Sequence, residues 1–242
     1  MIPRLPVAGW LVALVCLQAC QHEEPGTPAY VLARVHEGCS SRDVGMVMNQ
    51  VDIHYQDDLG GPGRLEDDLR QLFTVYGGLQ LGLANMRFGD KTIEAHAVVT
   101  GRHLRFEGPL RMETSRIPAG VLLQSGLLTD MRAIIHALRE RRIALETGSP
   151  RRLEFVVSPL YQGEIGGKDE LMKRVEDDLA RVKARAIMAT DLDIQIDENR
   201  ARVLQSFDMV IQAGQRTGES HARERLMLHK EGTRWRFVGG LG

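Results

Sequence analysis

Tyr55-Gln56-Asp57-Asp58-Leu59-Gly60-Gly61 returns in the second half of the chain as Tyr161-Gln162-Gly163-Glu164-Ile165-Gly166-Gly167. Four of the seven positions are identical, and two more keep their acidic or aliphatic character. A tyrosine followed by paired glycines is turn chemistry, because glycine adopts backbone conformations closed to other residues. Its recurrence reads as an internal duplication. A second match, Leu65-Glu66-Asp67-Asp68-Leu69 with Val175-Glu176-Asp177-Asp178-Leu179, follows in the same order and places a four-residue difference in the intervening loop.

The flanking patterns repeat with the turn. Before Tyr55, Val44, Val47, Met48 and Val51 fall at helical spacing after Ser41, the expected N-cap; before Tyr161, Leu153, Val156 and Val157 follow Ser149-Pro150. After the turns, Leu65, Leu69, Leu72 and Phe73 make one apolar helical stripe, and Leu171, Val175, Leu179, Val182 and Ala186 make another. The Glu-Asp-Asp triplets lie mostly off these stripes and read as solvated helical faces rather than metal sites.

The period then changes from helical to alternating. Leu79, Leu81 and Leu83, then Ile93 to Val99, then Leu110 to Met112, then Val121 to Leu128 predict four strands; Leu192 to Ile196, Ala201 to Phe207, Arg225 to Leu228 and Trp235 to Val238 predict four more. Gly89-Asp90 and Asp197-Glu198-Asn199 supply hairpin turns. The fold class is therefore α+β, in two tandem units of helices followed by antiparallel strands. The units are expected over 29–128 and 129–242, with Thr129 as N-cap of a helix carrying Met131, Ile134, Ile135 and Leu138.

Helix, short helix, a tyrosine-acid-glycine turn, helix and then a curved antiparallel sheet resembles the nuclear transport factor 2-like superfamily, also called cystatin-like or SnoaL-like, whose units are cone-shaped. Tyr55 with Asp58 and Tyr161 with Glu164 match the turn, and Trp235 matches a tryptophan often found on the last strand; Val121 or Leu122 stands there in the first unit. The resemblance implies either an enzyme working inside the cone, such as an isomerase, a dehydratase or a polyketide cyclase, or a non-catalytic binding module. Fold does not choose between them.

Cone chemistry needs a carboxylate or histidine of shifted pKa facing an apolar pocket, beside a group that holds a developing oxyanion. The catalytic candidates are His54, Tyr55, Asp58, Tyr161 and Glu164, with Asp57 alongside them. Glu94 and His96 share the strand face opposite Ala95, Ala97 and Val99 and are expected outside. Because the tyrosine–acid pair recurs beside paired glycines, a turn-fixing hydrogen-bond device is the more economical reading. No histidine or cysteine spacing fits a metal, and no glycine loop fits a phosphate, so no metal or cofactor is expected.

The N-terminus carries a separate signal. The apolar run Val7 to Cys16 is too short to cross a bilayer core of about 30 Å, and reads as a cleaved export signal over 1–19. Leu17-Gln18-Ala19-Cys20 resembles the lipobox of bacterial lipoproteins, which implies lipidation at Cys20 followed by a polar tether over 20–28. Gln21, standing where inner-membrane lipoproteins usually carry aspartate, implies the periplasmic face of the outer membrane. Cys39 is then left without a partner and is expected to be buried.

A formal net charge of −1, with 43% hydrophobic and 26% charged residues, describes a globular chain with no basic excess for nucleic acid. Arg139, Arg141, Arg142, Arg151 and Arg152 cluster, but Glu140, Glu146 and Glu154 are interleaved, so the cluster reads as a solvated helix face and turn. The leading expectation is a non-catalytic lipid-anchored protein that binds a partner protein or a small apolar ligand. The alternatives are a cone-fold isomerase, dehydratase or hydrolase on a small organic substrate, and a structural component of envelope assembly.

Overall fold

The computed structural model describes residues 24–181, 183–213 and 216–241. Cys20, the expected signal over 1–19 and the start of the tether lie outside the described residues. Two runs of one element order follow each other. The first has helices α1 (Pro28–Ser41), α2 (Val44–Met48) and α3 (Pro62–Tyr76), then strands β1 (Gln80–Phe88), β2 (Thr92–Gly101), β3 (Leu104–Ile117) and β4 (Gly120–Ser125). The second has α4 (Thr129–Thr147), α5 (Pro150–Val156) and α6 (Lys168–Arg181), then β5 (Lys183–Asp197), β6 (Arg200–Ala213), β7 (Arg216–Glu231) and β8 (Arg234–Gly239).

Local chemistry sets the helix ends. The Thr27 hydroxyl accepts from the Tyr30 N–H at 3.2 Å and Pro28 opens α1, where a missing N–H costs nothing. The cap of α2 is Asp43, not Ser41: the Asp43 carboxylate accepts from the Met46 N–H at 2.9 Å, whereas Ser41 is the last residue of α1. Thr129 likewise does not cap α4. Leu128 holds that position in a left-handed conformation (φ 51°), and the Thr129 hydroxyl donates to Asp57 instead.

Before α1, Gly26 lies directly on Gly120 at the start of β4; a Cβ on Gly26 would come within 2.9 Å of the Gly120 Cα. The end of the expected tether is therefore already seated on the first unit.

The two units form one eight-stranded sheet. β3 joins them. Its residues Leu104 to Glu107 pair in parallel with Leu192 to Gln195 of β5, while its far end pairs antiparallel with β4. Every other pairing in the sheet is antiparallel, and bulges between Ala84 and Arg87 and between Ala189 and Asp191 bend it. Between helices and sheet, the first unit is filled by Val31, Val35, Cys39, Leu65, Leu69, Ile93, Val99, Phe106, Met112 and Leu123. Met131, Ile134, Ile194, Val203, Leu226, Leu228 and Phe237 fill the second. Cys39 is buried, as its lack of a partner leads one to expect.

The backbone bridges of the turns repeat. Val51 bridges Leu123 as Val157 bridges Phe237, and Asp57 bridges Gly60 as Gly163 bridges Gly166. Gly126 and Gly240 close the two units alike, each with positive φ and each so close to a carbonyl, Arg111 or Arg225, that a Cβ would sit 2.1 Å from its oxygen. The same register governs α3 and α6, because Leu65 N–H donates to Gly61 O and Leu171 N–H to Gly167 O, both at 3.1 Å. Leu171, not Val175, is thus the counterpart of Leu65. The Glu-Asp-Asp match is displaced by about one helical turn, which preserves the apolar stripe and so hides the slip. No four-residue loop difference exists.

Candidate functional site

The Tyr55 turn sits where the two units meet. The Tyr55 hydroxyl accepts from the Leu127 N–H at 3.2 Å and donates to Asp57 Oδ2 at 2.7 Å. The other Asp57 oxygen accepts from the N–H groups of Leu59 and Gly60, which fixes the turn. Asp57 Oδ2 also receives the Thr129 hydroxyl at 2.9 Å and Arg132 Nη1 at 2.6 Å, both from α4. Arg132 turns its other edge to α3, where Nε and Nη2 reach Asp68 Oδ2 at 3.0 and 2.7 Å. The side chains of Arg132, Asp57 and Asp68 are 1%, 2% and 6% exposed.

One guanidinium thus balances two carboxylates in a buried junction. Burial works to raise the Asp57 carboxyl, but the Tyr55 hydroxyl and Arg132 outweigh it and hold it below the usual carboxylate range. Asp68 behaves alike: burial opposes ionisation, and His136 and Arg132 overcome it. His136 Nε2 lies 2.9 Å from Asp68 Oδ1, and Arg64 Nε lies 3.1 Å from the same oxygen. Burial raises the Tyr55 hydroxyl, with the Asp57 carboxylate adding to the effect, so it stays protonated and acts as a donor.

The duplicate turn is built differently. Gly163 replaces Asp57, and Arg174 stands in the register of Asp68. The Tyr161 hydroxyl therefore donates to Leu241 O at 2.5 Å and accepts from Leu241 N–H at 3.1 Å, closing the last turn on itself. Nearby, acid and hydroxyl exchange places: Asp52 accepts from Ser115 in the first unit, and Ser158 donates to Glu231 in the second.

The remaining sequence candidates scatter. His54 is exposed, and its backbone N–H donates to Asp52. Asp58 lies on the outer side of the turn, 3.6 Å from Lys230 Nζ. Lys230 also pairs with Asp130 at 2.8 Å, and Asp130 accepts from Trp235 Nε1 at 2.8 Å. Glu164 is exposed. Glu94 is exposed and His96 is part-exposed beside Glu107, on the strand face opposite the buried Ile93, Ala97 and Val99.

Two expectations need correction. Asp68 is not on a solvated face: three residues from Leu65 it turns inward, and Arg132 and His136 make its burial tolerable. The arginine cluster is not all solvated either. Arg139 donates to Gln71 of α3, and Arg141 forms a two-armed, largely buried pair with Glu224 at 2.6 and 2.8 Å. Asp57, with its carboxylate buried, and Arg132 are the residues that sequence reasoning undervalued.

Two clefts flank the junction. One, of about 530 Å³, is lined by Asp57, Asp58, Phe106, Arg111, Thr129 and Lys230 among others. The other, of about 290 Å³, lies between α3, α4, β5 and β6, with Leu72, Val75, Ile135, Leu138, Met188 and Leu192 in its walls. Among the described residues, no group of three or more histidine, cysteine, aspartate or glutamate side chains could hold a metal, and no helix is long and apolar enough to cross a membrane.

No protein-family model matches the chain, and no curated protein matches it. Among solved structures it is similar to a protein of Novosphingobium aromaticivorans provisionally described as a scytalone dehydratase, at 16% identity over 47% of this chain and 82% of that one, with a TM-score of 0.43. It is also similar to a Caulobacter vibrioides protein with a cystatin-like fold (16% identity, 46% of this chain, 85% of that one, TM-score 0.39). A nuclear transport factor 2-like protein of Cytophaga hutchinsonii is similar at 14% identity, over 44% of this chain and 91% of that one, with a TM-score of 0.39. Each likeness spans less than half of this chain, and none carries an activity to it.

Proposed function

We propose that the chain is a non-catalytic binding protein, exported and held by lipid at Cys20 on the periplasmic face of the outer membrane, with its two α+β units acting as one body. The observation that carries this reading is the fate of the Tyr55 turn. The Tyr55 hydroxyl and the neighbouring Asp57 carboxylate are committed to each other, to Leu127 and to Arg132 inside a buried junction, and Asp58, the acid that the resemblance pairs with Tyr55, faces Lys230 instead. A hydroxyl and a carboxylate so occupied serve assembly of the fold, and the units' interiors are packed with Leu, Phe and Met side chains.

Two measurements test the reading. Cys20→Ala is expected to abolish acyl labelling and release the protein from membranes; retention of both would overturn the anchor. Tyr55→Phe is expected to lower stability by roughly 1–3 kcal/mol in urea unfolding, because buried partners lose their hydrogen bonds. Unchanged stability would free the pair for chemistry and overturn the non-catalytic part.

A further inference from the structure

The smaller cleft between the units carries an unmet hydrogen-bonding group. Most of its polar lining is already matched: Asp68 with Arg132 and His136, and Arg139 with Gln71. Gln205 is not. It faces inward from β6 at 7% exposure, and its Oε1 has no hydrogen-bond partner. Arg142 Nε, on the α4 wall, also lacks a hydrogen-bond partner, but its side chain is 42% exposed and faces Glu146 Oε2 at 4.0 Å, so solvent and Glu146 serve it. A buried polar group left unpaired is costly, and the partner it lacks among the protein's own groups comes from water or a ligand.

The Tyr76 ring with its hydroxyl also stands in the cleft wall, and most of the remaining wall is apolar: Leu72 and Val75 from α3, Ile135 and Leu138 from α4, Met188 and Leu192 from β5. Val75 and Met188 are 52% and 66% exposed, so the cleft opens to solvent beside them. Its volume of about 290 Å³ lies near the lower end of the range of roughly 300–1,000 Å³ typical of ligand cavities. It is roughly twice the ~150 Å³ that accepts benzene in an engineered cavity.

We infer that this inter-unit cleft is a binding site for a small, largely apolar molecule bearing one uncharged donor group, a hydroxyl or a carboxamide, which gives its proton to Gln205. The apolar body lies along Leu72, Ile135, Leu138 and Leu192. A carboxylate fits less well, because it has no hydrogen for Gln205 Oε1. The inference rests on the binding reading above and adds where the ligand sits and what it is made of.

Isothermal titration calorimetry on the full chain, with 3-phenyl-1-propanol and 3-phenylpropanamide as probes, tests it. Both are expected to bind, each at least about fivefold more tightly than propylbenzene or 3-phenylpropionate, in keeping with one buried hydrogen bond. Gln205→Leu should erase the preference for the alcohol and the amide. Ala189→Trp, at an exposed position on the cleft wall, should abolish binding of all probes with thermal unfolding unchanged. No binding of either polar probe at millimolar concentration, equal binding of propylbenzene, or binding indifferent to both substitutions would overturn the site. Those failures would leave the Cys20 and Tyr55 outcomes as they are, so the site and the anchored, non-catalytic reading fall separately.

Discussion

Arg132 and Asp68 meet at 2.7 Å with almost no exposure to solvent, one on the first helix of the second unit and the other on the last helix of the first. Their contact adds a charged link to the strand pairing and the apolar core that also join the units. Removal of the cation would strand Asp57 and Asp68 in the interior. Arg132→Met is therefore expected to destabilise the protein by about 3–5 kcal/mol, the usual cost of breaking a buried pair. Urea unfolding followed by circular dichroism checks this. Combining Arg132→Met with Asp57→Asn and Asp68→Asn should recover part of the loss, since no carboxylate is then left unpaired while the amide oxygens still accept from the turn N–H groups and the Tyr55 hydroxyl.

The same junction sets an acid limit. The Asp57 and Asp68 carboxyls are depressed in the folded chain, because Tyr55, Arg132 and His136 outweigh the opposing effect of burial. Their stabilisation is complete above the unfolded value of about 3.9 and is lost as pH falls through the lower folded value. Urea midpoints measured between pH 6 and pH 2, as a titration range of about four units, should fall steeply at the acid end. In an Asp68→Asn variant the whole curve should lie lower and its acid limb should be shallower; an unchanged limb would mean that Asp68 does not titrate with folding.

Gly163 and Tyr161 make a second test. A Cβ at residue 163 would come 2.4 Å from the Tyr161 hydroxyl oxygen. Gly163→Ala is expected to cost about 1–3 kcal/mol, as overpacking does. Part of that cost should vanish in the background of Tyr161→Phe, which removes the struck atom. Strict additivity in this double-mutant cycle would show that the two positions do not press on each other.

Cys39 should be chemically silent. Burial pushes its thiol up to about 12, so at pH 8 roughly one molecule in ten thousand carries the thiolate. Ellman's reagent is expected to leave Cys39 unmodified in the native protein and to label it once urea unfolds the chain. Native labelling on the same time course as unfolded labelling would contradict the burial of Cys39.

Much of this architecture was legible because it rests on short-range chemistry. The Tyr55 and Tyr161 turns, the alternation of Ile93, Ala97 and Val99 and the stripe from Leu65 to Phe73 each state their structure within a few residues. What escaped detection acts over distance. Nothing near Leu104 announces that it pairs with Leu192 of the other unit, since parallel partners lie far apart in sequence. Asp68 looked like any helical acid until Arg132 of the next unit arrived to neutralise it. Gln205 reads as a polar break in an alternating strand, and only the cleft it faces shows that it is both buried and unpaired. The Glu-Asp-Asp slip has a different cause: moving a helix by one turn returns the same face, so periodicity alone cannot detect the error.

The contact of Gly26 with Gly120 bears on how far the body can stray from a bilayer. With Cys20 as the proposed lipid carrier, six residue steps separate it from Gly26, and a chain of that length spans at most about 22 Å. The first unit would thus be confined to the layer of water against the lipid headgroups. Longer side chains at Gly26 or Gly120 would unseat this clamp and pay out more line, making leash length a property set by one glycine pair on the folded surface.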